Sequence, residues 1–150
     1  MANIDFSAKL RDAVESIYCY CIDRSVRFVF AESCTSGLAA AVLGRQAGIS
    51  AYFCGSLVTY RNKSKQHWLE FGHGIFPDDG PVSDVVAQAM AAGALAKTEE
   101  ADVAISITGH LGPDAPSELD GLVIIGISIR NEDGNASTVS RSFRLSSESR

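Results

Sequence analysis

The sequence contains few of the residues that several common kinds of site or scaffold require. It has four cysteines in 150 residues and no CxxC pair. This spacing does not suit a zinc ribbon or a disulfide-stapled scaffold, so we expect reduced thiols. The three histidines form no recognisable triad motif, and neither they nor the carboxylates have the spacing of a metal site. Walker and Rossmann glycine fingerprints are also missing. We therefore expect neither a metal nor a cofactor.

The sequence also has no excess of basic residues and no long apolar run. The formal net charge is -5, which argues against a wide contact with nucleic acid. A small anionic ligand stays compatible with this charge, because a few local donors can outweigh it. No apolar run approaches the roughly 20 residues of a membrane helix, so no membrane contact is expected. The first residues lack the basic start and apolar core of a signal peptide. We therefore expect a cytoplasmic protein.

The residues present predict one globular domain over residues 1–150 with an α/β fold. Hydrophobic residues make up 46% of the chain and charged residues 21%. Apolar periodicity predicts helices at about 6–24, 36–45, 61–69 and 84–98, with Ser83 as the N-cap of the last. Strands are predicted at about 26–31, 53–59, 101–108, 122–130 and 136–145, with a bulge or a close backbone approach at Gly55. This order predicts a three-layer α/β/α sandwich with a mixed, roughly five-stranded sheet.

Polar residues follow three of the predicted strands, at positions 32–35, 60–65 and 108–113. In sheets of this kind ligands bind beyond the carboxyl ends of the strands, so we expect the three segments to converge. The first segment leads into a helix, whose free N–H groups and dipole would stabilise an oxyanion or a phosphate. The same helix start would lower the pKa of the Cys34 thiol.

Three of these residues suit nucleophilic catalysis. A serine needs a base to take its proton, and a buried lysine acting through a tyrosine hydroxyl can serve. Ser33, Tyr60 and Lys65 are the candidates. The alternative is that Tyr60 caps the core while Lys63 and Lys65 are solvated.

Two further side chains each have two interpretations. Glu32 is either a general base or metal ligand, or a carboxylate that orders the turn around it. His110 either touches a ligand or is an exposed loop residue.

Several motifs resemble the CinA C-terminal domain family. Residues 31–37 (AESCTSG) resemble its AESCTGG signature, with Ser36 in place of a glycine. Residues 54–65 are similar to its GG-x-V-x-YSN-x-x-K stretch, in which Tyr60, Asn62 and Lys65 fall on matched positions. Residues 80–83 resemble its GAVS helix start, 89–94 its MA-x-GA run and 107–114 its ITG-x-AGPDG turn. These blocks follow the family's order and spacing over about residues 28–143.

The resemblance implies an activity and a set of roles. Characterised members of the family are nicotinamide mononucleotide deamidases, which produce nicotinate mononucleotide and ammonia without a metal. Ser33 would be the nucleophile, Lys65 the base, and Tyr60 a proton relay or a support for the hydroxyl. The substrate-binding residues would be Glu32, Cys34, Thr35, Ser36, Gly37, Asn62, Thr108 and Gly109. Among these, Thr35 and the turn N–H groups would hold an oxyanion or phosphate, and Thr108 and Gly109 would border the nucleotide.

The resemblance also implies a mixed five-stranded sandwich, a small-molecule nucleotide as partner, and a homo-oligomer. The sequence departs from the family pattern in places. Residues 114–121 lack its GGT and PVG, residues 143–150 lack its GDR, Arg61 replaces a serine and Leu111 replaces an alanine. A lost glycine and an added leucine could narrow the site. The alternative function is therefore a CinA-like domain that binds a nucleotide or a protein partner without turnover.

Overall fold

The chain forms a five-stranded sheet and four α-helices within the described residues, which are 8–72, 74–76, 80–112 and 115–145 of a computed structural model. The helices are α1 (Ala8–Arg24), α2 (Leu38–Leu43), α3 (Asn62–Leu69) and α4 (Asp84–Lys97). The strands are β1 (Phe28–Glu32), β2 (Phe53–Val58), β3 (Val103–Gly109), β4 (Leu122–Arg130) and β5 (Ala136–Arg144). A short 3-10 turn, Ile49–Ala51, precedes β2.

The sheet is mixed, as the element order predicted. Its strand order is β2-β1-β3-β4-β5. β1 pairs in parallel with both β2 and β3, whereas β3, β4 and β5 pair antiparallel. The carboxyl ends of β1, β2 and β3 therefore meet at one edge of the sheet. An α/β fold with a five-stranded mixed sheet is confirmed.

Helices cover both faces of β1, which explains why every residue of this strand is buried. Val29 and Ala31 pack with the α4 side, in a core that includes Met90. Phe28 and Phe30 alternate to the opposite face, where the core includes buried residues of α1 and α2. The two cores give the three layers that were predicted.

Two local predictions are confirmed. The Ser83 hydroxyl accepts a hydrogen bond from the Val86 N–H at 3.3 Å and so caps α4. The pairing of β1 with β2 shifts by one residue between Phe28 and Val29, and Gly55 adopts a φ of 144° beside this bulge.

Some predicted element ends were wrong. β1 was predicted to stop before Glu32, but Glu32 pairs with both neighbouring strands and belongs to β1. The second helix was predicted over 36–45 but spans Leu38–Leu43, because Ser36 and Gly37 have φ values of 51° and 93°. β3 begins at Val103 and includes Gly109, where the prediction was 101–108.

Parts of other predictions lie outside the described residues. These are residues 6–7 of the first helix, His73 and residues 77–79 of the loop before α4, Pro113, Asp114, and residues 146–150. In the part of the chain that is described, no helix has both the length and the apolar character needed to cross a membrane.

Candidate active site

A cavity of about 320 Å³ opens at the edge of the sheet where the parallel strands end. It brings together residues from all three of the polar segments that follow β1, β2 and β3. Its described lining residues are Ser33, Cys34, Tyr60, Lys65, Pro81, Val82, Thr108, Gly109, His110, Leu111, Gly112 and Ala115. The predicted convergence of the strand ends is thus seen in the structure.

Ser33 is the first residue after β1 and is only 6% exposed. Its N–H donates to the Ile107 carbonyl at 2.9 Å, which ties the turn to β3. This backbone contact fixes the position of a serine whose side chain borders the cavity.

Lys65 lies on α3 and is 2% exposed, although it lines the same cavity. Burial lowers the pKa of its side chain, and the nearby Cys34 opposes this with a smaller effect. None of the salt bridges among the described residues involves Lys65. A lowered pKa increases the neutral fraction of the amine, and a neutral amine can accept a proton from a hydroxyl within reach.

Tyr60 and Asn62 are both exposed, whereas Ser33 and Lys65 are buried. Tyr60 follows β2, is 64% exposed, and contributes to the lining at the outer side. Asn62 is the first residue of α3 and is exposed, and it is not among the lining residues.

Glu32 is fully buried and does not line the cavity. Its carboxylate accepts hydrogen bonds from the Thr35 hydroxyl, the Ser56 hydroxyl, and the N–H groups of Gly37, Ala39 and Ala40, at 2.7 to 3.1 Å. The carboxylate therefore caps α2 and orders the turn, which is one of the two interpretations of this residue.

The Glu32 cap changes which N–H groups could meet a ligand. The expected oxyanion or phosphate site at the start of α2 is not open, because Gly37, Ala39 and Ala40 already donate to Glu32. The N–H groups of Ser36 and Leu38 donate to carbonyls within the turn. Among the described residues, no backbone carbonyl accepts the N–H of Cys34 or Thr35. Within the turn, the donors without a described carbonyl partner are therefore those of Cys34, which lines the cavity, and of Thr35, which lies outside the lining.

The Cys34 thiol has the opposite pKa shift from the one predicted. Burial raises its pKa, and this outweighs the nearby N–H groups of Cys34 and Thr35 and the charge of Lys65, which lower it. Cys34 is therefore a protonated thiol at neutral pH rather than an activated thiolate.

Thr108 and Gly109 form the wall of the cavity that β3 contributes. The Thr108 hydroxyl donates to the Pro81 carbonyl at 3.3 Å and so joins β3 to the segment before α4. A Cβ on Gly109 would lie 2.7 Å from the Leu122 oxygen and 3.2 Å from the Cys34 sulfur. Glycine is needed here because the cysteine and β4 both approach its Cα closely.

The comparisons with known proteins point to one family. The family model for the CinA C-terminal domain matches residues 10–149. The chain belongs to the CinA C-terminal domain family.

Individual relatives and solved structures agree with this assignment. A CinA-like protein of Mycolicibacterium vanbaalenii is 44% identical over 117 residues, which is 77% of this chain and 26% of that protein. A CinA-like protein of Crocosphaera subtropica is 39% identical over 113 residues, 75% of this chain and 27% of that protein. The chain thus spans about a quarter of the length of the curated relatives it matches.

Two crystal structures have the same fold. The competence/damage inducible protein CihA from Agrobacterium tumefaciens superposes with a TM-score of 0.83 at 30% identity, over 98% of this chain and 86% of that one. The competence damage-inducible protein A (ComA) from Klebsiella pneumoniae gives a TM-score of 0.79 at 28% identity, over 93% and 85% of the two chains.

One departure from the CinA pattern has a local explanation. Ser36 stands where the AESCTGG signature has glycine, and its φ of 51° lies in the left-handed region that glycine adopts most easily. Like Thr35 and Gly37, Ser36 is not among the residues that line the cavity. These three residues shape the turn that presents Ser33.

The structure adds residues to this CinA site that the sequence reasoning did not assign to it. Pro81, Val82 and Ala115 were not predicted as lining residues, whereas Gly112 lies in the 108–113 segment that was expected to converge on the site. Leu111 was expected beside the pocket as a departure from the family pattern, and it lines the cavity. His110 is half-buried and borders the cavity too, and its contact with a ligand stays a prediction. No cluster of three or more His, Cys, Asp or Glu side chains suited to a metal occurs among the described residues.

Proposed function

We propose that the chain hydrolyses the carboxamide of a pyridine nucleotide, with nicotinamide mononucleotide as the substrate, through Ser33 as nucleophile. The observation that carries the proposal is that Ser33 and the buried Lys65 line one cavity of about 320 Å³. A volume of this size falls in the range of small-molecule sites, about 300–1,000 Å³. The family to which the chain belongs and the serine–lysine pair both favour amide hydrolysis by acyl transfer.

The first half of the reaction forms an acyl enzyme. The neutral Lys65 amine takes the proton of the Ser33 hydroxyl, directly or through the Tyr60 hydroxyl, as the serine oxygen attacks the carboxamide carbon. The tetrahedral intermediate then collapses, its C–N bond breaks, and the Lys65 ammonium returns the proton to the leaving nitrogen. Ammonia leaves, and the nicotinoyl group of the mononucleotide stays on Ser33 as an ester.

The second half regenerates the enzyme. Water attacks the ester carbon while Lys65 takes one of its protons. The C–O bond to Ser33 breaks, and the lysine returns the proton to the serine oxygen. The balance is one carboxamide and one water consumed, with one carboxylic acid and one ammonia produced.

The N–H groups of Cys34 and Thr35 are the donors that would stabilise the oxyanion of both intermediates. They are the turn N–H groups that no described carbonyl accepts. Glu32 supports them indirectly, because its bonds to the Thr35 hydroxyl and the start of α2 hold the turn in place. Fixed donors of this kind typically contribute about 3–4 kcal/mol to transition-state stabilisation.

The test measures ammonia release from nicotinamide mononucleotide by the parent chain and two variants. We expect turnover in the parent and a loss of more than about 100-fold in Ser33→Ala and in Lys65→Met. Matched controls are Ser50→Ala and Lys63→Met, since both residues are exposed and lie outside the cavity lining. These controls should keep the parent rate.

The experiment also tests the second hypothesis for this site. If the parent binds nicotinamide mononucleotide but releases no ammonia, the chain is a binding domain and the hydrolase proposal is wrong. Turnover that survives Ser33→Ala would contradict the assignment of the nucleophile instead. Self-association and a cytoplasmic location stay predictions, and the former can be checked by light scattering.

A further inference from the structure

His110 extends the pairing of β3 by one residue beyond its last assigned position. Its N–H donates to the Leu122 carbonyl at 2.9 Å, and its carbonyl accepts the Gly121 N–H at 2.8 Å. Because side chains alternate along a strand, the His110 side chain lies on the same side as that of Thr108. Thr108 bonds to Pro81, and both residues line the cavity. The imidazole of His110 therefore faces the cavity.

The described lining of the cavity contains no carboxylate, although the chain as a whole is acidic. The net charge of the chain is -5, yet none of the described lining residues is an Asp or a Glu. The titratable described side chains around His110 in the cavity are Lys65, Tyr60 and Cys34. The N–H groups of the Lys65 amine and the His110 imidazole are hydrogen-bond donors in a lining without a described carboxylate, and this favours an anionic ligand group.

His110 and Ser33 lie at different points along this edge of the sheet. Glu32 pairs with Ile107 in the parallel register of β1 and β3, so Ser33 lies beside Thr108, two residues before His110. Two residues of extended strand span about 7 Å, so the imidazole is displaced from the nucleophile along the cavity wall. A substrate with a carboxamide at one end and a phosphate at the other could reach both residues.

We propose that His110 is a specificity-determining residue that donates a hydrogen bond to the phosphate of the nucleotide substrate while the carboxamide lies at Ser33. This inference rests on the proposed function and adds what the site recognises at the end of the substrate away from the reaction. His110 occupies the unspecified position of the ITG-x-AGPDG turn, so the family motif itself does not assign it a role.

The kinetic test compares two substrates that carry the same carboxamide, nicotinamide mononucleotide and nicotinamide riboside, which lacks the phosphate. His110→Gln should lower kcat/KM for the mononucleotide by roughly tenfold or more, because a hydrogen bond to a charged group is lost. The same variant should leave kcat/KM for the riboside unchanged. The control is His67→Gln, since His67 is exposed on α3 and outside the lining.

Two results would overturn the inference. An equal loss on both substrates would assign His110 to the chemistry or to the shape of the site. No loss on either substrate would mean that the imidazole does not contact the ligand. If His110→Gln does not fold, as seen by circular dichroism, His110→Asn is measured in its place.

A binding measurement separates this inference from the proposed function. Calorimetry on Ser33→Ala should give a lower Kd for the mononucleotide than for the riboside, and the added change His110→Gln should remove this preference. If the parent has no turnover but the preference depends on His110, the hydrolase proposal fails and the phosphate contact stands. If the parent has turnover and the preference is independent of His110, the phosphate contact alone is wrong.

Discussion

The Ser56 hydroxyl of β2 donates a hydrogen bond of 3.0 Å to the Glu32 carboxylate at the end of β1. The same carboxylate oxygen accepts the N–H of Ala40, at 3.0 Å, from the first turn of α2. One buried side chain therefore joins the parallel strands β1 and β2 and the helix α2 that follows β1. The turn between β1 and α2 presents Ser33, so this contact defines where the proposed nucleophile lies.

We expect Glu32→Gln to lower the free energy of unfolding by about 2–4 kcal/mol, since buried donors would lose their acceptors. Each carboxylate oxygen accepts at least one backbone N–H of the α2 turn. The amide NH₂ of glutamine would thus meet an N–H group in either orientation. Urea unfolding measures the change. Glu99→Gln is the control, because Glu99 is exposed and should shift stability by less than about 0.5 kcal/mol. An unchanged stability of Glu32→Gln would contradict the structural role of this carboxylate.

The lowered pKa of Lys65 predicts the pH dependence of turnover. The neutral amine is the active form, so kcat/KM should rise with pH as Lys65 loses its proton. Because burial lowers the pKa, the midpoint of this rise should lie below the ordinary lysine value of about 10.4. The measurement is kcat/KM for nicotinamide mononucleotide from about pH 6 to about pH 11, a range that includes the ordinary lysine value. A midpoint at or above the ordinary value would show that Lys65 is not the base.

The lowered pKa of Lys65 also predicts how the free energy of unfolding changes with pH. This measurement does not require an active enzyme. The folded-state pKa of Lys65 is lower than the unfolded value, so the unfolded chain binds more protons between the two values. The contribution of Lys65 to stability should therefore rise with pH across this window and be lost as pH falls through the folded pKa. Urea unfolding of the parent and of Lys65→Met should differ in this slope. Lys63→Met, with an exposed side chain, should keep the slope of the parent.

Much of the fold followed from the sequence because local patterns and topology agreed. Apolar periodicity and the Ser83 cap located α4, and polar residues after three strands indicated the edge where the cavity lies. Parallel pairing of β1 with β2 and β3 brings those strand ends together. The shared cavity of Ser33 and Lys65 is a consequence of this topology.

The parts that sequence reasoning missed depend on contacts between distant residues. The Pro81 carbonyl reaches the cavity because it accepts the Thr108 hydroxyl, 27 residues later in the chain. Glu32 was predicted to bind substrate, yet its carboxylate meets N–H groups up to eight residues away. A carboxylate placed shortly before a helix start is a capping signal, and the alternative interpretation of Glu32 as a residue that orders the turn had included this role. The raised pKa of the Cys34 thiol follows from burial, which the helix-start argument did not include.

Substitution and chemical labelling can distinguish whether Ser33 or the adjacent Cys34 is the nucleophile. Burial raises the pKa of Cys34, so its thiol should react with iodoacetamide more slowly than free cysteine at pH 7. Cys34→Ala should keep kcat within about tenfold of the parent, because the hydroxyl of Ser33 and the amine of Lys65 stay in place. Ammonia release and mass spectrometry of the labelled protein check both statements. If Cys34→Ala abolished turnover while Ser33→Ala retained it, the thiol would be the nucleophile.

Among the glycines of the described cavity lining, Gly109 should be the one at which substitution by alanine most reduces stability and activity. A methyl group there would approach the Leu122 oxygen to 2.7 Å, the Val123 side chain to 3.1 Å and the Cys34 sulfur to 3.2 Å. Relief of these contacts would push β3 away from β4 and move the turn that carries Ser33. We expect Gly109→Ala to lower the free energy of unfolding by about 1–3 kcal/mol and to reduce kcat/KM.

The matched control for this change is Gly72→Ala, where an added Cβ would meet no atom within 4 Å. Removing glycine from an unstrained position should leave stability unchanged or raise it by up to about 1 kcal/mol, because the unfolded chain loses freedom. Urea unfolding and ammonia release are measured on both variants. If Gly109→Ala were as stable and as active as Gly72→Ala, the close approach of β4 and Cys34 to this wall would not restrict the site. The contrast between the two glycines therefore tests the geometry of the cavity separately from the identity of its nucleophile.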